Sequence, residues 1–74
     1  MMKSKELSDQ NSCFNKAAST EIIFVLLARD KAAPVAIRSW CNERIRIGKN
    51  QPNDTQIFEA LECASRMERL NQFL

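Results

Sequence analysis

The chain has 74 residues, a formal net charge of +2 and 45% hydrophobic residues. This length allows one small domain, whose core is marginal without a covalent staple or a partner chain. The weak net charge and the lack of a polybasic block argue against a nucleic-acid-binding protein. Composition therefore predicts a small globular domain for which oligomerisation is a plausible source of stability.

The cysteine and histidine content excludes several kinds of site. Cys13, Cys41 and Cys63 are widely spaced, and the sequence has no histidine. Because zinc sites usually combine four Cys or His ligands at short spacings, a zinc protein is disfavoured. An odd number of cysteines without a signal peptide is typical of a reducing compartment and free thiols. Since the longest apolar run, Ile22–Ala28, is far shorter than the ~20 residues that span a bilayer, we expect a soluble cytoplasmic protein with no membrane contact.

Residues 1–19 form a polar N-terminal segment in which apolar residues are isolated. Ser8 and Asp9 can cap a short helix over residues 10–18, because both side chains accept hydrogen bonds from the free amides of a first turn. A disordered tail is the alternative. Residues 20–74 are expected to form a single helical-hairpin domain.

The run Ile22–Leu27 is apolar throughout and rich in β-branched residues, which favours an extended conformation. In so short a run, periodicity does not separate a strand, an extended segment and part of a helix, although length favours a strand. No second strand is evident that would satisfy its backbone hydrogen bonds. The run therefore either lies along the helices or pairs with a copy of itself in another subunit.

The residues that follow predict a first amphipathic helix that begins at Asp30 or at Pro34. Gly48, the only glycine, lies where a left-handed C-terminal cap is expected. Trp40 lies on the apolar half of this helix and is the expected core anchor.

A second amphipathic helix follows a cap at Asn53 or Asp54, with Gln56 placed as the partner in a capping box. The polar connection between the two helices is short, as expected of antiparallel neighbours. The predicted fold class is therefore mainly α: an antiparallel two-helix hairpin preceded by a short extended or β segment, and oligomeric.

Arg44 is the most unusual residue, because it lies near the middle of the apolar half of the first helix. Burying a guanidinium group is costly unless the group is paired. Arg44 is expected to pair with Asp54 or Glu62, to reach solvent from the edge, or to bind an anion, since guanidinium binds phosphate and carboxylate through two parallel hydrogen bonds. In the last case Trp40 would be a stacking platform. The candidate ligand-binding residues are Arg44, Trp40, Arg38 and Arg29.

The second helix carries aromatic residues on its charged face, a pattern typical of contact with another subunit or with the N-terminal segment. The candidate interaction surface comprises Phe58, Arg66, Arg69 and Phe73. On the apolar face of the same helix, Glu68 needs a partner, and we expect a clasp with Arg29.

No catalytic constellation is evident in the sequence. Histidine is absent, and neither Ser39 nor Ser65 has an evident activating base. Nothing marks Cys41 or Cys63 as a nucleophile of low pKa. We therefore expect a protein that is not an enzyme and that requires no cofactor or metal.

Between Phe24 and Glu68 the chain resembles short uncharacterised proteins encoded by phages and prophages. The motifs that carry this resemblance are FVLLARD at 24–30, AAP at 32–34, IRSW at 37–40, RI at 44–45, GKN at 48–50 and I-x-x-A-x-x-x-A-x-x-M-E at 57–68. The resemblance implies a phage accessory protein in the cytoplasm of the bacterial host, and it transfers no functional residue.

Small phage accessory proteins often act stoichiometrically, which agrees with the lack of catalytic residues. The first hypothesis is an oligomeric counter-defence protein that sequesters a small anionic ligand, such as a nucleotide immune signal. The second is a protein–protein inhibitor of a host defence complex. DNA binding or a structural assembly role is the third, and DNA binding ranks lowest because acidic residues interleave the basic ones on both helices.

Overall fold

The computed structural model describes residues 2–72, and these residues are mainly helical. The helices are α1 (Lys3–Ser8), α2 (Cys13–Lys16), α3 (Ala33–Arg46) and α4 (Thr55–Asn71). Within this part of the chain, α1 contacts α2 and α3 contacts α4. The predicted mainly α class is confirmed, whereas the predicted β segment is not seen, because residues 2–72 contain no strand.

Two short helices replace the single N-terminal helix that the sequence predicts over residues 10–18. The cap of α2 is Ser12, whose Oγ accepts a hydrogen bond from Asn15 N at 3.2 Å and donates one to Glu6 O at 2.6 Å. Asn15 Nδ2 donates to the backbone oxygens of Glu6, Leu7 and Asp9 at 2.9, 2.9 and 3.0 Å. Because the last carbonyls of a helix lack partners within it, this amide completes the C-terminal end of α1.

The apolar run at residues 22–27 forms neither a helix nor a strand. Ile22 is 97% exposed and Phe24 86% exposed, while Leu26 is half-buried. Among residues 2–72, the only backbone hydrogen bond of this run joins Asp30 N to Leu27 O at 3.0 Å. Of the three conformations that the sequence left open, the strand and the helix are not seen at residues 22–27.

A turn at Asp30 precedes α3, which begins at Ala33 and not at either predicted position. Asp30 Oδ1 accepts from Ala32 N at 2.9 Å, and Asp30 O accepts from Ala33 N at 3.0 Å. Asp30 therefore stabilises the turn before the helix. Pro34 lies in the first helical turn, where its missing N–H removes no intrahelical hydrogen bond.

The C-terminal end of α3 confirms the predicted glycine cap. Gly48 has φ +78°, the left-handed region that glycine adopts without steric cost. Gly48 N donates to Ile45 O at 3.1 Å, and Lys49 N donates to Arg44 O at 3.0 Å. This pair of bonds is a Schellman motif, which stops the helix and turns the chain toward α4.

The core lies between α3 and α4 and is small. Cys41, Ile57 and Ala60 form a buried cluster, and Ile37 and Ile45 pack against it. The prediction that Trp40 anchors the core is wrong, because its side chain is 41% exposed. One residue corresponds to a rotation of about 100° around a helix, so burial of Cys41 turns its neighbour Trp40 to the flank.

Contacts run in opposite order along α3 and α4. Arg38, early in α3, bonds to Glu68, late in α4, whereas Ile45 at the end of α3 packs against the cluster that contains Ile57 at the start of α4. None of the helices within residues 2–72 combines the length and apolar character needed to cross a membrane.

The chain keeps much of its surface open to solvent. Its accessible surface is 6219 Å², whereas a compact monomer of the same mass exposes about 4,700 Å². The radius of gyration is 13.1 Å, against about 11 Å for a compact chain of this length. Within residues 2–72, large apolar side chains such as Ile22, Phe24 and Phe58 contribute to this exposed surface.

Removing one methyl group should lower the free energy of unfolding more in the core than at the surface. Ile57→Val removes one buried methyl group beside Cys41, so we expect the free energy of unfolding to fall by about 1 kcal/mol. Ile47→Val makes the same change at a side chain that is 50% exposed, and its expected effect is below about 0.5 kcal/mol. Urea unfolding at a fixed protein concentration measures both values. Equal costs at the two positions would contradict the assigned core.

Candidate functional site

Arg44 and Trp40 form the one part of the predicted ligand site that the structure brings together. The guanidinium carbon of Arg44 lies 5.4 Å from the centroid of the Trp40 ring. The two residues are four positions apart on α3, so their side chains occupy the same face of the helix. The planar cation covers the electron-rich face of the indole, which stabilises both half-exposed groups.

Asn50 connects Arg44 to the start of α4, and its side chain is buried although it lies in the loop. Its Oδ1 accepts from Arg44 Nε at 2.6 Å, while its Nδ2 donates to Asp54 Oδ2 at 3.0 Å and to Gln56 Oε1 at 3.1 Å. Both ends of the amide are therefore satisfied, which removes the penalty for burying it. Sequence reasoning missed this residue, and the available signal was its place two residues after the helix stop at Gly48.

The expected ion pair of Arg44 with Asp54 or Glu62 is not formed. Asp54 reaches Arg44 only through the neutral amide of Asn50, and Glu62 forms an ion pair with Arg69, with 3.5 Å between Oε1 and Nη2. Among residues 2–72, Arg44 therefore has no carboxylate partner and keeps its positive charge uncompensated.

The predicted capping box at the start of α4 is also replaced by contacts within the loop. Asp54 precedes the helix, but its carboxylate accepts from Gln51 N at 2.9 Å and from Asn50, and Gln56 also accepts from Asn50. The backbone hydrogen bond from Gln51, followed by that from Asn50, lowers the pKa of Asp54. The carboxylate thus stabilises the connection and not the first turn of α4.

Arg38 and Glu68 form an ion pair between α3 and α4. The two Nη atoms of Arg38 donate to the two carboxylate oxygens of Glu68 at 2.9 and 2.5 Å, and this hydrogen bonding lowers the pKa of the Glu68 carboxyl. The predicted clasp of Glu68 with Arg29 is therefore wrong, because Arg38 lies on the adjoining helix and reaches both oxygens. Arg29 is exposed in the turn before α3.

Of the residues predicted to form an interaction surface, Phe58, Arg66 and Arg69 lie on α4 and are exposed. Phe58 is 69% exposed and Leu61 41% exposed, and both line a shallow hollow of about 200 Å³ with Pro52, Glu62 and Ser65. Arg66 is exposed, and Arg69 is the partner of Glu62. Phe73 lies outside the described residues. Sequence reasoning missed Leu61, because the helical pattern assigned it to the buried face.

The cysteines are free thiols in different environments. Cys41 is buried, Cys63 is half-buried and Cys13 is exposed. Burial raises the pKa of the Cys41 thiol, which disfavours its nucleophilic thiolate form. Within residues 2–72, no cluster of three or more His, Cys, Asp or Glu side chains is placed to hold a metal ion.

Comparison with models of protein families, with curated proteins and with solved structures gave no match.

The Asn50 network predicts an unusual pH dependence for Asn50→Asp. At neutral pH the new carboxylate repels Asp54 and no longer donates to Asp54 or Gln56, while its attraction to Arg44 Nε offsets part of that loss, so we expect the free energy of unfolding to fall by about 1 kcal/mol. As the pH approaches 3.8, the ordinary pKa of aspartate, protonation relieves the repulsion and the difference from the wild type decreases.

The free energy of unfolding of the wild type should itself decrease as the pH falls. Because the folded state lowers the pKa of Asp54, the stability it contributes is present above 3.8 and is lost as the pH falls through the lowered value. Urea unfolding at neutral and acidic pH measures both trends. Asn53→Asp, an exposed substitution in the same loop, is the matched control. A pH-independent difference for Asn50→Asp would contradict the assigned network.

Proposed function

We propose that this protein is a non-enzymatic binding protein that acts stoichiometrically on another protein, through the outer surface of α4 around Phe58 and Leu61. The observation that supports this most directly is the exposure of the Phe58 ring, 69%, beside Leu61 at one hollow. An aromatic ring next to a second apolar side chain is the usual composition of an interface centre.

The surroundings of Phe58 also favour a protein partner over an enclosed small molecule. The hollow of about 200 Å³ is open and smaller than the roughly 300–1,000 Å³ of typical ligand sites. Glu62, which lines it, bonds to Arg69, and both side chains are largely exposed. An apolar centre with a charged, hydrated rim suits an incoming apolar side chain from another protein.

Contacts between α3 and α4 hold this surface in a fixed position. We infer that α3 and α4 form an antiparallel hairpin, held at one end by the Asn50 hydrogen bonds and at the other by Arg38 and Glu68. A pre-organised surface loses less conformational entropy on binding than a mobile one. The resemblance to phage and prophage proteins is the ground for proposing a host defence complex in the bacterial cytoplasm as the target.

The proposal predicts that Phe58 dominates partner binding. Tagged wild-type protein is used to isolate partners from host lysate, with recovery quantified by mass spectrometry. Phe58→Ala should reduce recovery of the partner by about 30-fold, the equivalent of a hot spot of about 2 kcal/mol. Leu70→Ala, which alters another exposed apolar side chain of α4, should leave recovery unchanged. Equal recovery with both variants would contradict the proposal.

Sequestration of an anionic nucleotide is the second candidate, favoured by one observation. Arg44 lies over Trp40 with its charge uncompensated by a carboxylate within residues 2–72. Against it, Arg38 already binds Glu68, and Arg29 lies in the turn before α3. A site that uses all four predicted residues would require Arg38 to leave Glu68, or a second subunit to contribute residues.

The single tryptophan gives this candidate a direct test. A nucleotide bound at Arg44 should change Trp40 fluorescence at micromolar concentrations, and calorimetry with cyclic and adenine-derived nucleotides should give the same affinity. Arg44→Gln should weaken binding by at least about tenfold because it removes the charge, whereas Arg66→Gln is the control on the exposed face of α4. Absence of both signals would exclude the candidate.

A further inference from the structure

We propose that the outer surface of α4 also binds a second copy of this chain, through antiparallel packing of the two α4 helices. The second copy is inferred from the order of charges along this surface, which is complementary to itself when one helix is reversed. The dimer covers Phe58 and so regulates access to the site proposed above. That consequence rests on the proposed function, whereas the dimer itself does not.

Side chains of opposite charge occupy separate halves of one face of α4. Glu59 and Glu62 lie in the first half of the helix, and Arg66 and Arg69 lie in the second half. Because steps of three or four residues separate them, the four side chains share one face of the helix. All four residues are exposed. The surface is therefore acidic toward the start of α4 and basic toward its end.

Contacts within the chain do not account for this order. Glu62 forms an ion pair with Arg69, whereas Glu59 and Arg66 have no ion-pair partner among residues 2–72. The helix dipole favours acidic residues in the first turn and basic residues in the last turn, and its effect falls off beyond those turns. Glu62 and Arg66 lie outside both turns, since α4 comprises Thr55–Asn71. Their charges are therefore available to another chain.

Antiparallel packing of two α4 helices places acidic residues opposite basic ones. A two-fold axis at the height of residue 64 brings together residues whose numbers sum to 128. Glu59 of one copy then lies opposite Arg69 of the other, and Glu62 lies opposite Arg66. The symmetry forms each of these pairs twice. Parallel packing would place like charges opposite each other, which is unfavourable between two helices. The charges therefore select the antiparallel orientation.

The same packing covers apolar side chains at both ends of the charged stretch. Phe58 and Leu70 are 69% and 56% exposed. Their numbers also sum to 128, so Phe58 of one copy lies at the height of Leu70 of the other. Nothing in the core obstructs this contact, because the buried residues Ile57 and Ala60 face α3 from the opposite side of α4. The dimer thus combines central ion pairs with apolar cover at each end.

The size of the contact indicates a weak, reversible dimer. α4 has 17 residues and is therefore about 25 Å long. One helix face of that length is smaller than the about 800 Å² per partner of a standard interface, and exposed ion pairs add modest stabilisation. We expect a dissociation constant in the micromolar range or above. In dilute lysate the chain is then monomeric and Phe58 is open to another protein, whereas at higher concentration the second copy covers it.

Two variants that each give the surface a single sign of charge test the pairing. Glu59→Arg with Glu62→Arg makes the surface basic, and Arg66→Glu with Arg69→Glu makes it acidic. In analytical ultracentrifugation, each variant alone should have a dissociation constant at least about tenfold above that of the wild type, because like charges then face each other. An equimolar mixture should form a heterodimer whose dissociation constant lies within about threefold of the wild-type value, since opposite charges face each other again.

A control variant separates this effect from the change in net charge. Lys3→Glu with Lys31→Glu alters the net charge by the same amount as the acidic variant, at exposed positions outside α4. Its dissociation constant should equal that of the wild type. Circular dichroism of all three variants checks that the helices are retained.

Disulfide trapping tests the orientation independently. In a background with Cys13→Ser and Cys63→Ser, a mixture of Glu59→Cys and Arg69→Cys should form a mixed disulfide on mild oxidation. The two Cα atoms lie about 6 Å apart when the helix axes are about 9 Å apart, which a disulfide can bridge. Glu59→Cys alone should not be trapped, since its own copy lies about 15 Å away along the helix axis.

Three outcomes would each overturn the proposal: a wild type that is monomeric up to millimolar concentration, a dimer that the charge variants do not weaken, or trapping of Glu59→Cys with itself as readily as with Arg69→Cys. None of these measurements involves a partner protein. Failure of the dimer therefore leaves the proposed function standing, and failure to recover a partner leaves the dimer standing.

Discussion

The side-chain amide of Asn50 is the interaction on which the arrangement of α3 and α4 depends. It joins Arg44 at the end of α3 to Asp54 and Gln56 at the start of α4. A buried amide that loses any of these partners retains an unsatisfied polar atom, so the geometry is held together as a unit. The left-handed Gly48 directs the chain toward this position. The two helices can then bury Cys41, Ile57 and Ala60 between them.

The small size of that core explains why the protein is expected to work by association. Among residues 2–72, Ile57 and Cys41 are the largest fully buried side chains, while large apolar residues remain exposed at positions 22–27 and on α4. A chain of this length can bury only about 60% of its unfolded surface even when compact. The exposed apolar side chains of α4 are therefore the surface on which the proposed contact with another protein relies.

Local features were predictable from the sequence, whereas long-range side-chain pairs were not. The helical class and the Gly48 cap follow from periodicity and backbone preference, which act within a few residues. The Arg38–Glu68 pair spans 30 positions and depends on how the helices are rotated about their axes. The same rotation decides that Cys41 is buried and Trp40 exposed. Because Trp40 and Cys41 are adjacent, a pattern of apolar residues alone does not fix this choice.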